Sequence, residues 1–165
     1  MEIHRYPDPV LKRTADPVTE MDKDLLDLAD HMLEVMYRAP GIGLAANQVG
    51  VLKRLIVFDL EPGKDRRSPC VLFNPEIEQR EGEIVQEEAC LSVVDFSAEV
   101  ARNAKVRVRG LDRTGKIVHV DAEDLLAVCL QHEIDHLNGT LYIDRISSLK
   151  RALYKKRLKK RLKSG

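Results

Sequence analysis

Residues 122–138, AEDLLAVCLQHEIDHLN, carry the clearest helical pattern of the chain. Asp121 precedes them where its side chain can cap a helix N-terminus, and Gly139 follows them as a residue suited to end a helix. The sequence therefore predicts a helix over this stretch. Its apolar run Leu125–Leu130 is only six residues long, whereas a membrane-spanning helix needs about 20 apolar residues.

The predicted helix contains His132-Glu133-Ile134-Asp135-His136, a sequence of the form H-E-x-x-H. Residues four apart share one face of a helix, so both imidazoles can bind one metal ion. Glu133 beside them can take the proton of a water molecule. The alternative interpretation is a pair of surface histidines on a charged helix. The capped helix around the motif favours the metal site.

A catalytic metal site normally has three protein ligands and one open position. The longer motif of one metalloprotease class places a third histidine where Tyr142 stands in this chain. No glutamate follows Glu133, and Asp144 is the only acidic residue downstream of the motif. The third ligand is therefore either Asp144 or a residue upstream.

Upstream, Cys90 lies in a strand-like stretch, residues 87–93, and a thiolate is a strong ligand for a divalent transition metal. A free cysteine is more often buried and inert, an interpretation that suits Cys70. Cys129 lies one helical turn before His132. We interpret it as a wall of the pocket, because a fourth protein ligand would close the open position.

The segment Gly41-Ile-Gly-Leu-Ala-Ala-Asn-Gln-Val-Gly50 is a third candidate for chemistry. Its glycines allow a close approach between the backbone and a ligand, and Gln48 offers an amide donor. The segment lacks the Lys-Ser/Thr pair of a phosphate-binding loop and the full spacing of a dinucleotide-binding motif. Taken alone, it also fits a helix end followed by a turn.

The rest of the chain predicts an α+β fold. A first helix begins at Asp22, shows apolar residues at steps of three and four, and ends at Pro40-Gly41. A turn at Asp112–Gly115 predicts a hairpin between its flanking strands. We expect small antiparallel or mixed β-sheets around the central H-E-x-x-H helix, with an N-terminal helix and a C-terminal helix. The predicted strands are 54–59, 70–73, 105–109 and 117–120, and the predicted C-terminal helix spans about 148–163.

The chain has 165 residues, of which 44% are hydrophobic and 33% charged, and these values are typical of one globular domain with a real core. We expect residues 1–165 to form a single catalytic domain. Three cysteines are too few for a disulfide framework and indicate a reducing compartment. Residues 1–20 show no secretory signal. These features predict a cytoplasmic protein.

Charge is distributed unevenly along the chain, although the net charge is zero. Residues 145–165 contain ten Lys and Arg and no acidic residue, whereas residues 1–144 carry a net charge of −10. A basic C-terminal segment that follows an acidic stretch of chain is typical of a protein with an anionic partner.

Three segments resemble, in order, the signature motifs of the peptide deformylase family: G-x-G-x-A-A-x-Q, E-G-C-L-S and Q-H-E-x-D-H. Their counterparts are residues 41–48 (GIGLAANQ), 88–92 (EACLS) and 131–136 (QHEIDH). The similarity also covers the overall length, the His-Leu-Asn-Gly turn after the central helix and a C-terminal helix. It therefore spans nearly the whole chain.

The resemblance implies a metal ion held by Cys90, His132 and His136. Fe²⁺ is the expected metal in the cell, with Zn²⁺, Ni²⁺ or Co²⁺ able to replace it. The implied reaction removes the N-formyl group from the initiator methionine of newly made bacterial or organellar proteins and releases formate.

The resemblance also implies the roles of residues around the metal. Glu133 acts first as general base and then as general acid. The side-chain amide of Gln48 and the backbone N–H of Leu91 stabilise the oxyanion. The peptide adds as a strand to the backbone near Ile42 and Gly43.

We expect Val128 and Cys129 to be walls of an apolar pocket for the methionine side chain. Two features depart from the family pattern. Ala89 replaces the family's glycine and adds a methyl group beside the substrate strand. Residues 93–98 lack the Pro and Arg often found there, so contacts to later peptide residues are expected to differ.

Two rival functions use other features of the sequence. A metallo-endopeptidase would use Asp144 as its third ligand. A non-enzymatic protein that binds ribosomes or RNA would need only the basic C-terminal segment and no metal. We expect no membrane partner and no DNA partner.

Two regions carry further expectations. Asp135 is either an acceptor that supports a ligand histidine through another element, or a solvated helix residue. The C-terminal helix is expected to bury a narrow apolar stripe against the body, and its charges could also contact ribosomal RNA. The residues of the expected stripe are Leu149, Ala152, Leu153, Lys156 and Leu158.

Overall fold

The computed structural model describes residues 1–63 and 65–164, which form three α-helices and two antiparallel β-sheets. This architecture confirms the predicted α+β class. Short 3-10 helices occupy Pro9–Lys12, Ala46–Val49 and Tyr142–Arg145. The α-helices are α1 (Lys23–Arg38), α2 (Asp124–Leu137) and α3 (Ser148–Ser164). The strands are β1 (Gly43–Ala45), β2 (Leu55–Phe58), β3 (Cys70–Glu81), β4 (Ile84–Cys90), β5 (Val93–Arg102), β6 (Lys105–Leu111) and β7 (Ile117–Glu123).

The larger sheet has the strand order β1-β2-β3-β6-β7 and lies between α1 and α2. Strand β2 shows why, because it is buried on both faces. Leu55 and Val57 pack in the core that contains α1, whereas Ile56 and Phe58 pack in the core that contains α2. Side chains alternate between the two faces of a strand, so one apolar run supports both helices.

Helix α1 forms as its sequence pattern predicts. The Asp22 side chain caps it by accepting a hydrogen bond from the backbone N–H of Leu25 at 2.9 Å. The apolar residues at steps of three and four all face the core, which places α1 over β2. The buried side chains of this face are Leu25, Ala29, Met32, Leu33 and Met36.

The hairpin of β4 and β5 is a separate two-stranded sheet. Cys90, at the end of β4, pairs with Val93, so a tight turn formed by Leu91 and Ser92 joins the strands. A third apolar core lies around Tyr142 and includes side chains of this hairpin. The hairpin thus holds Cys90 at the end of β4, packed against this third core.

Helix α2 begins later than the sequence predicts. Residues 122 and 123 continue β7, and Asp121 pairs with Arg107 in the ladder instead of capping the helix. The helix begins at Asp124 and has no side-chain cap. Asp121 does not cap it because the β6–β7 pairing continues up to the pair of Lys105 and Glu123. The predicted stop is correct, since the helix ends at Leu137 and Gly139 adopts a left-handed φ of 74°.

The predicted apolar stripe of α3 is wrong for four of its five residues, and only Leu158 packs against the core. Leu149 and Leu153 are 70% and 51% exposed, and the buried side chain of the helix is that of Tyr154. The Tyr154 ring packs against Tyr6 and Phe96 at centroid distances of 5.9 and 4.8 Å. One buried aromatic ring, with Leu158 beside it in the same core, therefore docks the helix. Among the described residues, no helix combines the length and the apolar character that crossing a bilayer requires.

Candidate metal centre

Three potential metal ligands converge from two elements of the fold. Cys90 ends β4, while His132 and His136 lie on one face of α2. Their ligand atoms lie within 4.8 Å of one another, and Cys90 Sγ is 3.4 Å from His136 Nε2. Residues four apart on the helix supply the two imidazoles, and the end of the hairpin supplies the sulfur.

The downstream alternatives for a third ligand have other partners. Both carboxylate oxygens of Asp144 accept hydrogen bonds from Lys12 Nζ, at 2.8 and 3.0 Å. Tyr142, at the position of the third histidine in the longer metalloprotease motif, stacks on His132 at 5.9 Å. Its hydroxyl donates to the carbonyl oxygen of Phe96 at 2.8 Å. Tyr142 thus packs on a candidate ligand and its hydroxyl is used elsewhere.

Glu88 sets the orientation of His132. Its Oε1 lies 2.9 Å from His132 Nδ1, so Nδ1 donates to the carboxylate and Nε2 is left for a metal. Burial alone would raise the pKa of Glu88, but the hydrogen bonds from Arg102 and His132 outweigh burial and lower it. The carboxylate is therefore charged at neutral pH and remains an acceptor.

A chain of charged side chains extends from buried Glu88 to Arg145 at the surface. Arg102 donates two hydrogen bonds of 2.9 Å to Glu88 and one of 2.6 Å to Asp135. Arg145 donates to both carboxylate oxygens of Asp135 at 2.6 and 2.8 Å. Asp135 is buried, which contradicts the solvated alternative. It supports His132 only through Arg102 and Glu88.

Two polar atoms at the centre, His136 Nδ1 and Glu133 Oε1, are buried without a hydrogen-bond partner in the described chain. Burial and the neighbouring His132 lower the pKa of His136 well below its usual value. For His132 itself, burial lowers the pKa, but hydrogen bonds with Cys90 and Glu88 raise it by more. A neutral His136 beside Cys90 suits a ligand pair.

Burial raises the pKa of Glu133 to about 7. A carboxyl group with this pKa can both accept and release a proton near neutral pH. Its Oε2 faces the backbone of Gly43, where a Cβ atom would lie only 2.6 Å from the oxygen and 3.0 Å from Cys129 Sγ. The glycine keeps space open beside the Glu133 carboxyl group.

Gln48 lies across from Cys90. Its Oε1 accepts a hydrogen bond from the Ala45 N–H at 3.0 Å, and its Nε2 donates to Ser92 Oγ at 3.0 Å and to Cys90 Sγ at 3.7 Å. The amide is 2% exposed. Leu91 is the first residue of the turn after Cys90. Leu91, the second predicted oxyanion donor, thus directly follows Cys90 and lines the same cleft as Gln48.

An open cleft of about 870 Å³ runs past these groups. Gln48, Cys90, His132 and Glu133 lie along it, whereas His136 is almost completely buried behind them. Each residue that we predicted for substrate binding also lines the cleft. These residues are Ile42, Gly43, Ala89, Val128 and Cys129.

The residues present fit a divalent transition metal. One sulfur and two imidazole nitrogens form a three-ligand donor set that leaves a further coordination position open. The Nδ1 of His132 is occupied by Glu88, so the tautomer that binds metal through Nε2 is already selected. The cleft gives a substrate access to the same place.

The sequence interpretation missed the roles of Glu88 and Arg102. A signal for Arg102 existed in β5, where Ala98, Val100 and Arg102 alternate on the buried face. An arginine on the buried face of a strand must have an acidic partner. The identity of that partner depends on the β4–β5 register, which the sequence did not define.

The sequence matches the family model described as Polypeptide deformylase over residues 1–152. The peptide deformylase of Thermodesulfovibrio yellowstonii is 55% identical over 159 residues, which cover 96% of each chain. A crystal structure of a peptide deformylase from Legionella pneumophila is similar with a TM-score of 0.91 and 45% identity, covering 99% of this chain and 96% of that one. The peptide deformylase from Synechococcus elongatus in complex with actinonin gives a TM-score of 0.90 at 40% identity, covering 94% and 86% of the two chains.

Proposed function

The chain belongs to the polypeptide deformylase family and removes the formyl group from the N-terminal methionine of nascent chains, and we propose how its own residues perform this hydrolysis. The observation that carries the proposal is the convergence of three ligand atoms within 4.8 Å of one another. Two of the three residues, Cys90 and His132, line an open cleft together with the buried carboxyl group of Glu133.

Cys90, His132 and His136 would hold the metal ion. A divalent ion there supplies Lewis acidity, which polarises a carbonyl group and lowers the pKa of water. Glu88 holds the His132 ring in the required tautomer through the 2.9 Å contact to Nδ1. Arg102 keeps Glu88 charged through paired hydrogen bonds.

Glu133 acts as the general base. Its carboxylate takes the proton from the water molecule that attacks the formyl carbon, and then donates it to the departing amine of methionine. A pKa of about 7 suits both steps. Gly43 leaves room for the reacting group opposite the carboxylate.

Gln48 and the backbone N–H of Leu91 stabilise the negative charge that develops on the formyl oxygen. Gln48 is suited to this role because Ala45 fixes its Oε1, which directs its amide nitrogen toward Cys90 and Ser92. The loss of one such donor typically lowers kcat about 10²–10³-fold.

The peptide lies in the cleft as an added strand. β1 pairs only with β2, and β4 pairs only with β5, so each strand has one free edge within the described chain. Ile42 and Gly43 lie along one side of the cleft, and Ala89 along the other. Val128 and Cys129 then border the methionine side chain.

We propose Fe²⁺ as the metal in the cell, with Zn²⁺, Ni²⁺ and Co²⁺ as replacements. Thiolate and imidazole ligands suit all of these ions. An oxidisable sulfur ligand beside iron predicts that air and peroxide inactivate the iron form faster than the nickel or zinc form. Equal inactivation rates for all metal forms would contradict iron-centred chemistry as the cause of the inactivation.

The basic α3 helix is the proposed contact to the ribosome. It carries nine Lys and Arg and no acidic residue, and most of these side chains are exposed. Binding to RNA phosphates should weaken steeply with salt. We further propose that the whole chain is one catalytic domain that acts in the cytoplasm, a location consistent with three unpaired cysteines.

The test measures formate release from formyl-Met peptides by metal-loaded protein, with a chelator-treated sample beside it. Glu133→Gln should lower kcat at least about 10²-fold while the protein keeps its metal. Glu99→Gln, an exposed change on β5, is the matched control. Wild-type turnover by metal-loaded Glu133→Gln would overturn the assignment of the base.

A further inference from the structure

The two proposed oxyanion donors come from different sheets. Gln48 follows β1 of the five-stranded sheet, whereas Leu91 lies in the turn of the β4–β5 hairpin. No strand of one sheet pairs with a strand of the other among the described residues. The distance between the donors is therefore not fixed by backbone pairing of strands.

The N-terminal arm crosses this gap. The backbone N–H of His4 donates to the carbonyl oxygen of Gln48 at 2.7 Å, and the N–H of Tyr6 donates to the carbonyl oxygen of Ser92 at 2.8 Å. One segment of three residues thus bonds to both donor-bearing segments. We call residues 4–6 the N-terminal clamp.

Side-chain contacts hold the clamp on both segments. The His4 ring lies against Gly50, which ends the 3-10 helix of Gln48 with a left-handed φ of 82°; a Cβ atom there would lie 2.8 Å from His4 Nε2. His4 Nδ1 pairs with Asp8 at 2.7 Å. On the other side, the Tyr6 ring packs on Tyr154 of α3.

We propose that the N-terminal clamp positions Gln48 relative to the Leu91 N–H, so that both donors reach one oxyanion. This inference rests on the proposed function, because it assumes that these two groups are the donors. His4 and Tyr6 act through backbone N–H groups and are positioning residues. The clamp supplements the direct hydrogen bond from Gln48 to Ser92.

The clamp should affect the transition state more than substrate binding. Oxyanion donors act on charge that is absent from the bound substrate, so their displacement lowers kcat and leaves KM nearly unchanged. A shift of about 1 Å can cost about 10²-fold in rate. A partial loosening of one segment is therefore expected to lower kcat about 10-fold.

The test replaces His4 with proline, which removes the N–H that bonds to Gln48. His4→Ala keeps this N–H but removes the ring, and Glu2→Pro places a proline in the same arm at an exposed residue. With metal content equal, His4→Pro should lower kcat about 10-fold with KM within about 2-fold of wild type. Glu2→Pro should keep kcat within about 2-fold, and His4→Ala should lower kcat less than His4→Pro because it keeps the N–H that bonds to Gln48. Equal kcat for His4→Pro and His4→Ala would overturn the proposal.

A double-variant comparison separates positioning from general damage. In the Gln48→Ala background the His4→Pro change should cost little further rate, because the donor that it displaces is already gone. A full additional 10-fold loss would contradict positioning through Gln48. If Gln48→Ala itself leaves kcat unchanged, the proposed oxyanion role fails; if only His4→Pro is without effect, the clamp alone fails.

Hydrogen exchange on the unmodified protein gives a second test that does not depend on the folding of a variant. The amide protons of His4 and Tyr6 should exchange at least about 10²-fold more slowly than that of exposed Glu2. Exchange of all three at the same rate would overturn the clamp.

Discussion

Helices α2 and α3 have similar lengths but opposite environments. In α2, eleven consecutive residues, Ala127–Leu137, are buried, whereas α3 buries Tyr154 alone among the residues described. The buried charges of Glu88, Arg102 and Asp135 on and beside α2 pair with one another, while most charges of α3 face solvent. Substitutions near α2 should therefore leave buried side chains without hydrogen-bond partners or without room. Substitutions of the charged residues on α3 should mainly alter binding to other molecules.

The largest loss of activity is expected at Gly43, whose backbone lies against the carboxyl group of Glu133. Gly43→Ala places a methyl group against Glu133 Oε2 and Cys129 Sγ, so we expect kcat/KM to fall at least about 10²-fold. Gly63→Ala is the matched control, because a Cβ at Gly63 meets nothing within 4 Å. Peptide hydrolysis assays on both variants measure the difference. Wild-type activity of Gly43→Ala would show that the space beside Glu133 is not used.

The buried charges around α2 supply the next prediction. Arg102→Leu leaves Glu88 and Asp135 without their shared cation in an environment where the arginine side chain is 3% exposed. The free energy of unfolding should fall by about 3–5 kcal/mol, and metal affinity should fall because His132 loses its support. Denaturant unfolding and chelator competition measure these effects.

Arg107→Leu is the control for this comparison. Its guanidinium lies 3.6 Å from Asp121 with both side chains exposed, so its removal should change stability by no more than about 1 kcal/mol. Equal losses for the two variants would mean that burial does not distinguish these ion pairs.

The docking of α3 depends mainly on one buried ring, that of Tyr154, with Leu158 packed against the same core. Tyr154→Ala removes the contacts to Tyr6 and Phe96 and should lower stability by about 2–3 kcal/mol. Leu153→Ala, at a half-exposed position of the same helix, should cost less than about 0.5 kcal/mol. Thermal unfolding of both variants tests the prediction. A larger loss for Leu153→Ala would restore the apolar stripe expected from the sequence.

The smallest effect on catalysis is expected from the charges of α3. The triple change Lys159→Glu, Lys160→Glu and Lys163→Glu keeps Tyr154 in place and should leave kcat on short formyl-Met peptides unchanged. Co-sedimentation with ribosomes at low salt should be lost, because phosphate contacts become repulsive. Retained co-sedimentation of the triple variant would contradict docking through this helix.

The two helices also show what the sequence could and could not predict. In α2, metal-ligand chemistry is encoded by residue type and spacing, so His132, Glu133 and His136 were identified locally. Cys90 is a further candidate because a thiolate is a strong ligand for a divalent transition metal. Glu88 and Arg102 were missed because their pairing depends on the β4–β5 register, which only tertiary structure defines.

In α3, prediction from the sequence is limited for a different reason. The helix itself follows from its sequence, but its buried face does not, since nearly every position is basic or apolar. Tyr154 was overlooked because it meets Tyr6 and Phe96, which are far from it in the sequence. The start of α2 was misplaced for a similar reason, because strand pairing of residues 122 and 123 prevailed over the cap expected at Asp121.

The most direct test of the account is X-ray absorption spectroscopy of the metal-loaded protein, beside Cys90→Ser. For the zinc form of the wild type we predict one sulfur at about 2.3 Å and two imidazole nitrogens at about 2.0–2.1 Å. The sulfur shell should vanish in the variant. A wild-type spectrum without sulfur, or an unchanged spectrum in Cys90→Ser, would contradict the metal centre of Cys90, His132 and His136.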